Sequence, residues 1–544
     1  MRSPTPLPAV ARCLGDFVVR WASEDRLFLA ERAGEGWRRI TYRDALARVR
    51  SLGQLLLDRG LGATRPLAIL SGNSIDHALL ALAAMHVGVP VAPISTAYSL
   101  QSKDHGKLRM LGAVLGAGAV WADSDAYAPA IAALGVPRLE LAAPAATAAV
   151  DRAFAAITPD TVAKILFTSG STGVPKGVVN THRMLCANQA ALAAGWSFLA
   201  DRPPVLVDWL PWSHTFGGNH NFNLVLAHGG AMYIDAGKPA PGAFSETLRN
   251  LREVAGTLYF NVPRGFDMLV DALERDAELR RTMFRELDLV FYAAAALSPA
   301  TWARLVALAP DVPLVSAWGS TETSPLATQV HFAIDRAGVI GLPVPGHELA
   351  FAPVGDKHEL RVRGPSVTPG YWRAGGAIEP APQDELGFYP MGDAGVLADH
   401  ARPDRGVIFD GRTAENFKLS SGTWVHVGAV RISLVAACSP DVADAVICGH
   451  DREEVGALLF AAPGRVIDRA AIADALARTG TTSSTQVRRA LVLDEPPAID
   501  AGEITDKGYL NQRAILDRRA ADVAALYAGD PRVIVASPAR TRSP

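Results

Sequence analysis

Cysteine is scarce: Cys13, Cys186, Cys438 and Cys448 are scattered through 544 residues with no C-x-x-C pair. That excludes a disulfide framework and a thiolate zinc site, and it points to a reducing, cytoplasmic location. An excess of one charge is also lacking, since 53 Lys and Arg stand against 55 Asp and Glu, a formal −2. No global field then draws the chain to nucleic acid or to anionic membrane. Arg280-Arg281 and Arg518-Arg519 read as solvated helix faces. The longest apolar stretch, residues 77–91, is interrupted by His86, Gly88 and Pro90. It reads as a buried helix running into a strand, not as a membrane span. Met1-Arg2-Ser3-Pro4-Thr5-Pro6 leads into no uninterrupted apolar region, so no secretory signal is expected. Internal repeats are absent as well.

Apolar residues are plentiful at 49%, with 20% charged, and 544 residues exceed what one core organises. Thr41 is placed to cap a helix with Asp44 three residues on, and Leu46, Val49, Leu52 and Leu56 follow at helical spacing. Short apolar runs at 66–70, 89–93 and 119–122 alternate with helical segments, and further runs follow at 205–207, 231–234, 257–260, 289–292 and 314–317. This alternation predicts a doubly wound, mostly parallel α/β sheet. After residue 359 the pattern shifts to short strands punctuated by Gly and Pro, as in a β-barrel-like subdomain. We place a junction near Asp410, giving domains 1–410 and 411–536 and a disordered tail 537–544.

The richest segment is Thr168-Ser169-Gly170-Ser171-Thr172-Gly173-Val174-Pro175-Lys176-Gly177, directly after the apolar run 163–167. Glycines let backbone N–H groups approach an anion, hydroxyls add donors, and Lys176 adds charge, so the loop is suited to phosphate. A Walker loop has Gly before the Lys and Ser or Thr after it, whereas here Pro175 precedes and Gly177 follows. The glycine spacing does not fit a dinucleotide fingerprint either.

Five further segments carry chemistry. Taken alone, His214 in Pro211-Trp212-Ser213-His214-Thr215-Phe216-Gly217-Gly218 reads as a strand-end histidine satisfied by a carbonyl. Glu322, in Trp318-Gly319-Ser320-Thr321-Glu322-Thr323, is either a helix N-terminal acid or a magnesium ligand beside phosphates. Asp393, in Tyr389-Pro390-Met391-Gly392-Asp393, is either a turn aspartate or an acceptor for ribose hydroxyls. Arg412 and Lys418 lie at the junction, and Lys507 sits in the polar loop Gly502-Glu503-Ile504-Thr505-Asp506-Lys507-Gly508. Each of these three is unremarkable by itself.

In this order, the segments resemble the adenylate-forming superfamily of acyl-CoA synthetases, luciferases and peptide-synthetase adenylation domains, over roughly residues 41–511. Phe417-Lys418-Leu419-Ser420-Ser421-Gly422-Thr423-Trp424-Val425 and Ile504-Thr505-Asp506-Lys507-Gly508-Tyr509-Leu510-Asn511-Gln512 are most similar to feruloyl-CoA synthases. The resemblance implies a large N-terminal domain of two doubly wound sheets with a distorted β-barrel subdomain. A small mobile α+β C-terminal domain would close over the site.

It also implies a ligase that uses ATP, Mg²⁺ and coenzyme A on a small carboxylic acid, with a homodimer left open. Thr168, Ser169, Gly170, Ser171, Thr172, Gly173 and Lys176 would hold phosphates, Thr321 the α-phosphate and Glu322 the Mg²⁺. Asp393 and Arg412 would bind ribose, with Lys418 also on the nucleotide side. Lys507 would bridge carboxylate and α-phosphate. His214, Phe260, Asn261, Ala295, Trp318 and Gly319 would line the acid pocket, which suits ferulate or another aryl acid and would also admit a medium-chain acid. Two positions depart from the family: Ala414 replaces the usual hinge Asp or Lys, and Ala429 and Arg431 replace an acidic pair. An acyl-AMP ligase with another acceptor and a catalytically inactive binding homologue are the alternatives.

Overall fold

The computed structural model describes residues 1–168, 175–240, 242–295, 297–505 and 508–537. They form two units. The larger comprises Met1–Phe351, Arg361–Met391 and Leu397–Ile408; the smaller comprises Ala352–Leu360, Gly392–Val396 and the chain from Phe409.

Local signals explain the first helices. Thr41 caps Tyr42–Asp58 by accepting from the Asp44 amide at 3.2 Å. Ser74 caps Ile75–His86 by accepting from the His77 amide at 3.0 Å. That second helix is buried at every position except Asp76, which is why its apolar pattern has no polar face. Among the described residues, no helix is long and apolar enough to cross a membrane.

One sheet of the larger unit runs in the order Ala377–Pro380, Gly370–Arg373, Lys176–Thr181, Val162–Thr168, Val91–Ile94, Leu67–Leu70, Ala119–Ala122. Only its last four strands are parallel neighbours. Val162–Thr168 turns back antiparallel into Lys176–Thr181, with Thr168 opposite Lys176. The strands on either side of the glycine- and hydroxyl-rich segment are thus antiparallel partners, whereas phosphate loops of the Walker and dinucleotide types lead into a helix.

The strands between residues 205 and 343 divide between two sheets. Val205–Asp208 and Ala231–Ile234 join an N-terminal hairpin, Leu27–Ala33 with Gly36–Thr41. Leu258–Asn261, Leu289–Tyr292 and Leu314–Gly319 run parallel elsewhere, followed by antiparallel Leu326–Gln329 and Val339–Pro343. The smaller unit has its own sheet, Val442–Cys448, Val455–Ala461, Val487–Leu493 and Ile534–Val535, and an apolar core that includes Leu434, Ile447, Leu459 and Ile472.

Candidate active site

Three parallel strands set one wall. Asn261, Tyr292 and Ser316 are in register, so the strands' carboxyl ends deliver Phe260, Asn261, Ala295, Trp318 and Gly319 to one edge. Open α/β sheets bind ligands at such an edge. Asn261 is wholly buried: its Nδ2 donates to the Tyr259 hydroxyl at 2.8 Å, and its Oδ1 accepts from Trp209 Nε1 at 3.2 Å. Phe260 packs among His220, Phe291 and Phe216, with ring centroids 5.2, 5.3 and 6.4 Å away. Ala295 is exposed, and its neighbour Ala294 has φ 75°, a strained conformation for a residue with a Cβ.

His214 is buried in the turn after Val205–Asp208, not at a strand end. Its carbonyl accepts from the Gly218 amide at 2.8 Å, opening a π-helical turn over Phe216–Asn221. A Cβ at Gly217 or Gly218 would collide with the Leu210 or Trp212 carbonyl. The two glycines thus let this segment fold tightly onto the chain that precedes it.

Thr321, Glu322 and Thr323 form one 3₁₀ turn directly after Leu314–Gly319. Ser320 Oγ accepts from the Glu322 amide at 3.2 Å and donates to Glu322 Oε2 at 2.8 Å, while the Ser320 amide donates to Thr323 Oγ1 at 2.8 Å. Thr368 ties this turn to the hairpin: its amide donates to the Glu322 carbonyl at 2.8 Å and its hydroxyl to the Val179 carbonyl at 2.7 Å.

The Lys176 ammonium lies 4.9 Å from the centroid of the Tyr371 ring, whose hydroxyl is 2.9 Å from that of Tyr389. Burial raises the pKa of both phenols, and the Glu322 charge raises it further, so both remain protonated donors. The structure therefore brings Lys176, Thr321 and Glu322 together with two tyrosines that the sequence reasoning missed. Tyr389 begins the segment that leads to Asp393, but only its packing brings its hydroxyl to that of Tyr371. Ser169, Gly170, Ser171, Thr172 and Gly173 lie outside the described residues.

Glu322, seryl and threonyl hydroxyls and phenols make an oxygen-only donor set, as a hard cation such as Mg²⁺ requires. No group of three or more His, Cys, Asp or Glu side chains gathers among the described residues to hold a metal. A cation at Glu322 would therefore take its remaining ligands from phosphate and water, which is usual for Mg²⁺.

In the smaller unit, Arg412 Nε stands 3.7 Å from Asp393 Oδ1. Thr413 fixes that pair by donating from its amide and hydroxyl to the Gly392 carbonyl at 2.9 and 3.0 Å. The exposed guanidinium leaves donors to spare. Lys418 is exposed, its ammonium 4.9 Å from the centroid of the Trp424 ring. Arg431 Nε donates to Asp444 Oδ1 at 2.7 Å, so the cation that replaces a family acid is paired within its own unit. Lys507 lies outside the described residues, but the flanks of its loop are closed by Thr505 and Tyr509, amide to carbonyl at 2.8 Å.

Residues 19–372 match the family of AMP-binding enzymes, and the chain belongs to that family. A long-chain-fatty-acid–CoA ligase of Escherichia coli is 30% identical over 227 residues, 40% of this chain and 39% of that ligase. A 4-chlorobenzoate–CoA ligase of Arthrobacter is 28% identical over 319 residues, 54% of this chain and 56% of the relative. The chain thus spans from 39% to 56% of the length of these two relatives. ATP-bound MatB from Rhodopseudomonas palustris shares the fold, with a TM-score of 0.71 at 23% identity, over 94% of this chain and 99% of MatB.

Proposed function

We propose that this protein is an ATP-dependent carboxylate–CoA ligase that works through an acyl-adenylate, and that its acid is aromatic, ferulate or another hydroxycinnamate. The observation that carries the reaction class is that Thr368 ties the Thr321–Glu322 turn to the strand that begins at Lys176. That tie supports reading Lys176 as a phosphate-binding cation and Glu322 as a carboxylate suited to Mg²⁺. The names of the relatives, both acid–CoA ligases, support the same class. The tracts at 417–425 and 504–512 and the aromatic surroundings of Phe260 support an aryl acid.

In the first half-reaction a carboxylate oxygen attacks the α-phosphorus of ATP, and the bond to pyrophosphate breaks. An anion approaches a polyanion, so catalysis is mainly charge compensation and positioning. Thr168, the loop 169–173 and Lys176 hold the β- and γ-phosphates. Thr321 donates to the α-phosphate, and the Tyr371–Tyr389 pair orders the Lys176 side. Bound at Glu322, Mg²⁺ supplies further charge neutralisation. Asp393 accepts from ribose hydroxyls beside Arg412, with Lys418 also on the nucleotide side, and Lys507 stabilises charge between carboxylate and α-phosphate. His214, Phe260, Asn261, Ala295, Trp318 and Gly319 enclose the acid. In the second half-reaction the coenzyme A sulfur attacks the acyl carbon, AMP leaves, and the thiol proton passes to solvent.

Pyrophosphate release measured against ferulate, coumarate, benzoate and octanoate tests this reading. Ferulate or coumarate is expected to give the highest kcat/KM. Preference for octanoate would replace the aryl acid with a fatty one, and silence with every acid would favour an inactive binding homologue. Formation of the CoA thioester, followed by chromatography, separates coenzyme A from other acceptors.

A further inference from the structure

A buried chain of side-chain amides joins the segments just assigned to the acid and to ATP. Asn180 and Asn219 are fully buried. Asn219 Nδ2 donates to Asn180 Oδ1 at 2.8 Å and to Thr215 Oγ1, beside His214, at 3.1 Å. Asn219 Oδ1 accepts from Lys164 Nζ at 3.3 Å, and that ammonium also donates to the Gly218 carbonyl at 2.8 Å. At the other end, Ser324 Oγ donates to the same Asn180 Oδ1 at 3.0 Å. Ser324 immediately follows the Thr321–Thr323 turn, and Asn188 Nδ2 holds the Thr323 carbonyl at 3.2 Å.

Asn180 itself stands on the hairpin strand that begins at Lys176, opposite Lys164 in register. Its Nδ2 is engaged by the Val178 carbonyl at 3.1 Å. The two lone pairs of one amide oxygen are thus shared between the His214 segment and the Glu322 turn. Shifting either segment would leave a buried amide unpaired, at about 1–3 kcal/mol per group. The low-dielectric interior strengthens each bond of such a chain. The two segments are therefore expected to move together or not at all.

We propose that Asn180 and Asn219 are positioning residues, which hold the His214 segment and the Thr321–Glu322 turn in fixed register on the hairpin that presents Lys176. The inference rests on the acid-activating reading for its catalytic consequence, though not for the coupling itself. Neither amide need touch a substrate. Their effect is to fix the spacing between the acid carboxylate and the α-phosphate, where an error of about 1 Å can cost 100-fold.

The test compares Asn219→Ala and Ser324→Ala with Asn250→Ala, a control whose amide bonds Asp235 at 2.9 Å and Arg32 at 2.7 Å instead. All three are expected to lower Tm. Asn219→Ala is expected to lower kcat for pyrophosphate release about 10- to 100-fold with little change in KM for ATP or acid, and Asn250→Ala to retain kcat. The double variant Asn219→Ala/Ser324→Ala is expected to be no slower than the worse single one, because both act through Asn180. Hydrogen exchange supplies a readout independent of turnover: amides of residues 320–326 are expected to exchange faster in Asn219→Ala and not in Asn250→Ala. Unchanged exchange there, or equal kcat losses in Asn219→Ala and Asn250→Ala, overturns the proposal. If Asn219→Ala does not fold, Ser324→Ala, which loses one hydroxyl, carries the same comparison with the control. A wild-type protein silent toward every acid would sink the acid-activating reading, while the exchange measurement still decides the coupling.

Discussion

Lys164 donates to the Gly218 carbonyl at 2.8 Å from the middle of a buried strand, and its second acceptor is the Asn219 amide oxygen, 3.3 Å away. Its acceptors are carbonyls rather than a carboxylate, and burial pushes the pKa of its ammonium down to about 7. The charge thus sits beneath the turn that carries His214, next to a cavity of about 20 Å³ lined in part by His77 and Trp212.

A lysine with a folded pKa of about 7 and an unfolded one of about 10.4 has a defined pH signature. Between those values the unfolded chain holds a proton that the folded chain has released, so stability rises with pH. Below pH 7 both states are protonated and the desolvation penalty is present in full. The stability of wild type relative to Lys164→Met should therefore increase from pH 7 to 9, by up to about 1.4 kcal/mol per unit. Urea unfolding of both proteins at several pH values measures it; a constant difference would mean that the amine is not desolvated.

Gly218→Ala would set a methyl group against the Trp212 carbonyl and force apart the turn that Gly218 closes onto His214. We expect a stability loss of about 1–3 kcal/mol, typical of overpacking. A drop in kcat beyond the loss of folded protein should accompany it. Retention of full kcat in the folded fraction would dissociate this turn from catalysis.

Glu503 anchors the loop that carries Lys507. Its fully buried carboxylate accepts from Arg519 Nε at 2.7 Å and from the Ala498 amide at 2.9 Å. Burial alone would raise its pKa, but the hydrogen bonds from Arg519 and Ala498 and the charges of Arg519 and Arg518 hold it below the usual range. Its stabilisation is thus complete above the unfolded value of about 4.3 and disappears as pH falls through the lower, folded value. Glu503→Gln should cost about 3 kcal/mol at pH 7, the scale for breaking a buried ion pair. Denaturant unfolding should find the gap narrowing in strong acid; equal stability at pH 7 would remove the anchor role.

Lys507→Ala should abolish acyl-AMP formation yet still convert supplied acyl-AMP and coenzyme A to the thioester. Single-turnover assays of each half-reaction measure this. Equal loss in both would assign Lys507 a general structural role.

The sequence by itself determined the local chemistry. Thr41 with Asp44 marked a helix start, the break pattern of residues 77–91 marked a buried helix, and the ordered segments around Lys176, Glu322 and Asp393 pointed to the family. These signals are short-range, carried by capping, periodicity and residue type within a few positions. Only the tertiary structure decided that Val162–Thr168 and Lys176–Thr181 pair antiparallel, and that Tyr371 lies by Lys176 and pairs with Tyr389 near Glu322. It alone showed which groups buried Lys164 and the asparagines meet. Lys164 stands in the apolar run 163–167, but its partners, like those of Asn219, lie far along the chain. Asn180 meets Asn219 across 39 residues and Ser324 across 144. Contacts at such separations depend on which strands neighbour one another, and a buried amide reveals its role only through the partners that this order supplies.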